Sequence, residues 1–133
     1  KSATFSLDTM FQKRYSNAMT KRPLDIVFFK TDTGNEPARE WLRSLPKEEK
    51  KLIGEDIKVA QIGWPLGEPI IKKMEPGIWE IRTELKNRIA RVFVTKAPDK
   101  LVILHGFIKK TQKTPTTELA IARKRFQIIK KGK

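Results

Sequence analysis

The stretch Ile78-Trp79-Glu80-Ile81-Arg82-Thr83-Glu84-Leu85, then Lys86-Asn87, then Arg88-Ile89-Ala90-Arg91-Val92-Phe93-Val94 decides the fold. Two runs rich in β-branched and aromatic residues flank a two-residue turn, the pattern of a β-hairpin. A two-residue loop pairs Leu85 with Arg88. Directly opposed residues of a hairpin share a face. One face therefore collects Trp79, Ile81, Val92 and Val94, a core face. The other places Arg82 opposite Arg91. Like charges in that relation repel, so something must compensate. Glu80 and Glu84 flank Arg82 on the same face and could neutralise it. The functional alternative is a phosphate gripped by two guanidiniums.

Outward from the hairpin, residues 70–74 read as a short strand, with Pro76-Gly77 as a turn. If Met74 points to the core, Lys73 points the other way and can join Arg82 and Arg91 on one basic surface. The alternative is an edge lysine that discourages strand-to-strand association. After Pro98-Asp99, residues 100–107 form a further strand. A two-residue loop there puts His105 opposite Val92, on the core face; a three-residue loop puts it opposite Arg91, in the cleft.

Upstream, residues 24–29 read as a first strand. Asn35 is a helix cap, with Pro37 in the first turn of the helix it opens. Ala38, Trp41, Leu42 and Leu45 form that helix's stripe. Pro46 separates it from a second helix over 46–62, with Ile53, Ile57 and Ala60 on one side and Gly63 at its end. Downstream, Thr114-Pro115 opens a last helix to about Lys130, with Leu119, Ala122, Phe126 and Ile129 as its stripe. The order is β-α-α-β-β-β-β-α, an α+β fold with an antiparallel-rich sheet and a helical hairpin on one face.

The 133 residues suit one domain, read as 19–133. Residues 1–18 differ from the rest, and Ser16-Asn17-Ala18 before Met19 has the look of a tag-derived extension. There is no cysteine and one histidine, so neither a disulfide framework nor a zinc site is expected. No apolar run approaches the length that spans a bilayer, so no membrane partner is expected, and a cytoplasmic location fits. Lysine and arginine number 29 against 15 acids, a net charge of +14. Residues 105–133 hold nine of the cations and one acid, Glu118. Such a balance suits a polyanion or an acidic protein, or keeps a solvated helix dispersed.

The string His105-Gly106-Phe107-Ile108-Lys109-Lys110-Thr111-Gln112-Lys113-Thr114-Pro115, with the basic helix after it, resembles the HigB-like toxins of the RelE/ParE superfamily. So do Ile71-Lys72-Lys73-Met74, Ile78-Trp79-Glu80-Ile81-Arg82 and Arg91-Val92-Phe93. The likeness covers nearly all of 20–133. It implies a RelE-like sheet with two helices on one face and the C-terminal helix at its edge. It implies a toxin of a type II toxin–antitoxin module, a metal-independent mRNA endoribonuclease without cofactor, acting on free mRNA or on the ribosome. A helix-turn-helix antitoxin would neutralise it, in a heterotetramer or beside a toxin homodimer. Carried onto this chain, Lys73, Arg82, Arg91 and His105 are the catalytic candidates. Lys72, Lys109, Lys110 and Lys113 are the RNA contacts.

One departure stands out. Several RelE-like ribonucleases use a tyrosine near the C-terminus, whereas the single tyrosine here is Tyr15 and no aromatic follows Phe126. That leaves open a ParE-like toxin acting on a protein such as DNA gyrase, or a plain basic RNA-binding module.

Overall fold

The computed structural model describes residues 23–65, 67, 70–109 and 116–132. The suspected tag region 1–18, Lys110, Lys113 and the expected helix opening Thr114-Pro115 lie outside the described residues. The elements run β1 (Asp25–Phe28), α1 (Pro37–Arg43), α2 (Lys47–Gly63), β2 (Ile71–Glu75), β3 (Ile78–Leu85), β4 (Arg88–Lys96), β5 (Lys100–Lys109) and α3 (Thr116–Lys131). This is the expected order. The strands form one five-stranded mixed sheet, β1-β5-β4-β3-β2. β1 pairs with β5 in parallel, and the other neighbours are antiparallel.

Local chemistry sets the helix ends. Pro37 sits in the first turn of α1, where its missing N–H costs nothing. The N-cap position falls to Glu36, without a side-chain cap hydrogen bond, and not to Asn35 as expected. The Asn35 backbone N–H instead donates to Thr31 Oγ1, closing the preceding turn. α1 ends at Arg43, where the Ser44 hydroxyl donates to the Trp41 carbonyl at 2.6 Å. Pro46 then opens α2, and Glu48 and Glu49 in its first turn complement the helix dipole.

The β3–β4 hairpin has the register deduced from the sequence. Arg82 opposes Arg91, Trp79 opposes Val94, and Leu85 opposes Arg88. Asn87 takes the left-handed conformation (φ 65°) that a tight hairpin turn needs. Ile81, Val92 and Val94 are fully buried with Ile53, Ile57 and Ala60 of α2, so the helical hairpin covers this first face. Thr83 donates to Asp56 at 2.7 Å, and Arg88 pairs with Glu49, pinning α2 to the hairpin. Trp41 of α1 packs directly over Gly106, leaving no room for a Cβ there.

The second face has its own apolar layer. Ile78, Phe93, Val102, Leu104 and Phe107 are buried beneath α3, with Ala122 at the centre and Leu119, Phe126 and Ile129 around it. α3 contacts β3, β4 and β5. It therefore crosses the sheet face, where the resemblance implied the sheet edge. β4 is consequently buried without interruption from Ile89 to Thr95. Each fully buried aliphatic or phenylalanine side chain of these layers contributes about 1.5–3 kcal/mol.

Two β-bulges decide which side chains reach the second face. In β5 the register steps from Val94↔Ile103 to Phe93↔His105, leaving Leu104 as the extra residue. The Pro98-Asp99 turn is the two-residue kind, with Ala97 and Lys100 exchanging hydrogen bonds. His105 nevertheless reaches the cleft face, because the bulge reverses the parity downstream. In β2, Lys73 pairs with Trp79 and Lys72 with Glu80, and a register shift follows between Lys73 and Glu75. Lys73 thus shares the face of Trp79, with its Nζ 5.7 Å from that ring's centroid. The expectation that Lys73 joins Arg82 and Arg91 is corrected: Met74 does point into a core, but into the second one.

Two glycine substitutions should move stability in opposite directions. Gly106→Ala forces a Cβ to about 2.3 Å from the Trp41 ring and should cost about 1–3 kcal/mol. Gly54→Ala lies inside α2 with open space around it and should gain about 0.5–1 kcal/mol. Urea denaturation midpoints of the two variants check both signs.

Candidate functional site

Arg91 points from the centre of β4 into the second face, only 2% exposed, and its Nη1 lies 2.8 Å from Oε2 of the equally buried Glu80. A lone guanidinium this deep would carry the full cost of desolvation; a hydrogen-bonded carboxylate makes the burial tolerable. The sequence reading assigned Glu80 to Arg82; the ion pair it makes here is with Arg91. It corrects the picture of two guanidiniums lying open together: Arg82 is partly exposed above, while Arg91 belongs to the interior. Lys72 is exposed across from Glu80, and Lys109 is half-buried opposite Ile89. These two and Arg82 share the second face with the buried pair.

His105 is 15% exposed and stacks against Phe107 with ring centroids 5.8 Å apart. Its Nε2 lies 2.5 Å from Oε1 of Glu118, in the first turn of α3. Its Nδ1 lies 3.4 Å from Nη1 of Arg125, which also donates to the Leu104 carbonyl at 2.7 Å. Burial holds the Arg125 guanidinium below its ordinary pKa. The partners' hydrogen-bonding roles favour one tautomer, with Nε2–H donating to the carboxylate and the Nδ1 lone pair toward the cation.

Glu118 and Arg125 were not among the sequence candidates. A usable signal was present, since seven residues are nearly two helical turns, so both side chains flank the Leu119–Ala122–Phe126 stripe on one side. What could not be read was which strand residue they meet, because that depends on the bulge at Leu104.

Lower on α3, Arg123 grips Glu75 of β2 through two hydrogen bonds of 2.9 and 2.8 Å. The hydrogen bonds and charge of Arg123 hold the Glu75 carboxyl below its ordinary range, against a weaker push upward from burial. Among the described residues, no group of three or more His, Cys, Asp or Glu is placed to hold a metal ion. No described helix is long and apolar enough to cross a membrane.

A sheet lined on both faces, with cations and a carboxylate-held histidine on one of them, defines a small basic α+β protein of RelE-like architecture. The chain belongs to the Gp49-like family of phage-derived proteins, whose sequence profile it matches over residues 40–127. This is a RelE-like family whose members are commonly toxins of toxin–antitoxin systems, so an antitoxin is the partner the family suggests. No curated protein matches the chain.

The buried pair and the exposed bridge should respond differently to change. Arg91→Met removes the guanidinium 2.8 Å from the buried Glu80 carboxylate and should cost about 3–5 kcal/mol, with much of the loss restored in Arg91→Met/Glu80→Leu; equilibrium denaturation of the three proteins tests this. For Glu75 the folded pKa is depressed, so its contribution is complete above the unfolded value near 4.5. It is lost as pH falls through the lower folded value. The stability difference between the parent chain and Glu75→Gln, measured from pH 7 to pH 3, should therefore shrink in acid.

Proposed function

We propose that the chain is a HigB-like toxin that cleaves mRNA, stops translation and is neutralised by a helix-turn-helix antitoxin. The observation that carries this reading is His105 itself. It is the chain's one histidine, turned by a bulge onto the basic sheet face and held between a carboxylate and a guanidinium.

RNA cleavage by internal transfer needs three things. A base takes the proton of a 2′-hydroxyl as that oxygen attacks the adjacent phosphorus. Cations stabilise the charge gathering on the phosphoryl oxygens. An acid protonates the 5′-oxygen as its bond to phosphorus breaks, leaving a 2′,3′-cyclic phosphate and a 5′-hydroxyl. With Nε2–H bonded to Glu118, His105 offers Nδ1 as the base once Arg125 turns from that nitrogen to the phosphate, and the resulting imidazolium can return the proton to the leaving oxygen. Glu118 acts as a positioning residue that holds the ring in place. Arg125 stands where a phosphoryl oxygen near Nδ1 would be met. Arg82, Lys72 and Lys109 extend the cationic path on the same face. Lys110 and Lys113 continue it on the strength of the sequence alone. Arg91 serves this surface from beneath, through its pair with Glu80. Binding to the ribosome or to free mRNA would orient the strand, a role a missing tyrosine leaves to the partner.

The test is expression of residues 19–133 in cells, with growth recorded and mRNA 5′ ends mapped. The chain should arrest growth and produce new codon-phased ends. His105→Ala should lower cutting by about 100-fold or more, and Arg82→Ala should weaken it. Glu118→Gln, which keeps an acceptor at the ring, should lower cutting less than His105→Ala does. Growth arrest without new ends, accompanied by impaired supercoiling by gyrase, would assign the toxicity to a protein target. Salt-sensitive binding to any RNA, without arrest, would leave a plain RNA-binding module.

A further inference from the structure

Six large aliphatic side chains are exposed among the described residues, and three of them gather in one place. Val27 of β1 lines a groove of about 570 Å³ between β1, the β4–β5 turn and the C-terminal half of α3. Ile121 of α3 lines an adjoining hollow of about 370 Å³ against the segment that follows β1. Phe29 and Ile128 line both, so the two form one trough beside α3. Ile121, Arg125 and Ile128 follow the i, i+4, i+7 spacing that puts them along one side of the helix. Val27 is 37% exposed, Ile121 37% and Ile128 48%.

The walls carry charge of one dominant sign. Lys30, Lys96, Lys100, Lys124 and Lys130 stand around the trough, against Asp32 and Asp99. An RNA strand would satisfy the lysines but has no aliphatic groups for the floor. A wholly apolar protein surface would fill the floor and leave the lysines unmatched. An acidic amphipathic segment answers both, with its apolar side chains on Val27 and Ile128 and its carboxylates on the rim.

We propose that this trough is the docking site for an acidic, amphipathic segment of the antitoxin. The proposal rests on the toxin–antitoxin reading of the family, and does not require that the toxin cut RNA. Arg125 connects the trough to the site described above: it lines the smaller hollow and also meets Nδ1 of His105. A carboxylate of the docked segment that reaches Arg125 would occupy the guanidinium otherwise offered to a phosphate. Docking and inhibition would then share one side chain.

The test uses the full chain co-expressed with the antitoxin from its native operon, then separated for titration. Val27→Asp/Ile128→Asp places two carboxylates on exposed positions outside the proposed catalytic machinery. It should keep the fold by circular dichroism, keep growth arrest, lose rescue by the antitoxin, and bind the antitoxin at least 100-fold more weakly. Lys124→Glu/Lys130→Glu should weaken binding and reduce its dependence on salt. Antitoxin affinity of the double-aspartate variant within threefold of the parent overturns the proposal, as does failure of the parent chain to form any complex with its operon partner. A loss of self-association in that variant, with antitoxin affinity intact, would assign the trough to a second copy. A loss of RNA binding alone would assign it to nucleic acid. If the parent arrests no growth and the variant still loses the antitoxin, the docking site stands and the proposed toxic activity falls.

Discussion

Strand β4 is packed from both sides, and most of the molecule follows from that constraint. The helical hairpin covers one face and α3 the other, so every residue from Ile89 to Thr95 is buried. A charged side chain in such a strand survives only with a partner, because desolvating an isolated ion costs several kcal/mol. Arg91 and Glu80 meet that requirement, 2.8 Å apart. The charge of Arg91, opposite Arg82 in the hairpin, is compensated by Glu80. The pair thus sets a boundary: below it is core, and above it Arg82 is the guanidinium that solvent reaches.

The position of α3 then determines what the second face can do. Its apolar stripe sits over Phe93, Leu104 and Phe107, which brings Glu118 and Arg125 to opposite sides of the His105 ring. Gly77, left-handed at φ +87°, lies so close beneath Phe126 that no larger residue fits without moving the ring. The bidentate Arg123–Glu75 bridge ties the same helix to β2. A helix held at several points is a rigid support for Glu118 and Arg125. The proposed trough lies along the same flank of this helix as Glu118 and Arg125 and runs on toward its C-terminus, so Arg125 is within reach of both neighbourhoods.

Much of the fold was legible because strand and helix periods dominate the sequence. The Lys86-Asn87 turn fixed the Arg82–Arg91 register, and the two helices after Asn35 were separable at Pro46. The second apolar layer was legible too, in the continuous apolar runs 92–94 and 101–104, which are typical of strands covered on both faces. Reading one face as an open cleft overlooked them, and that error sent Lys73 to the wrong side. His105 could not be placed from spacing, because a bulge adds one residue without a distinctive residue type to announce it. Glu118 and Arg125 escaped for a related reason: their role is a contact between distant segments, and helix spacing gives only the side on which they stand.

The central claim is that RNA engages the second sheet face around Arg82, His105 and Lys109. Amide chemical-shift mapping during titration with a short RNA carrying 2′-deoxy residues, which cannot be cleaved, tests it most directly. Shifts concentrated at those three residues and at Glu118 and Arg125 are predicted. Shifts confined to the first face around Trp79 and Lys73, or no saturable change at all, would contradict it.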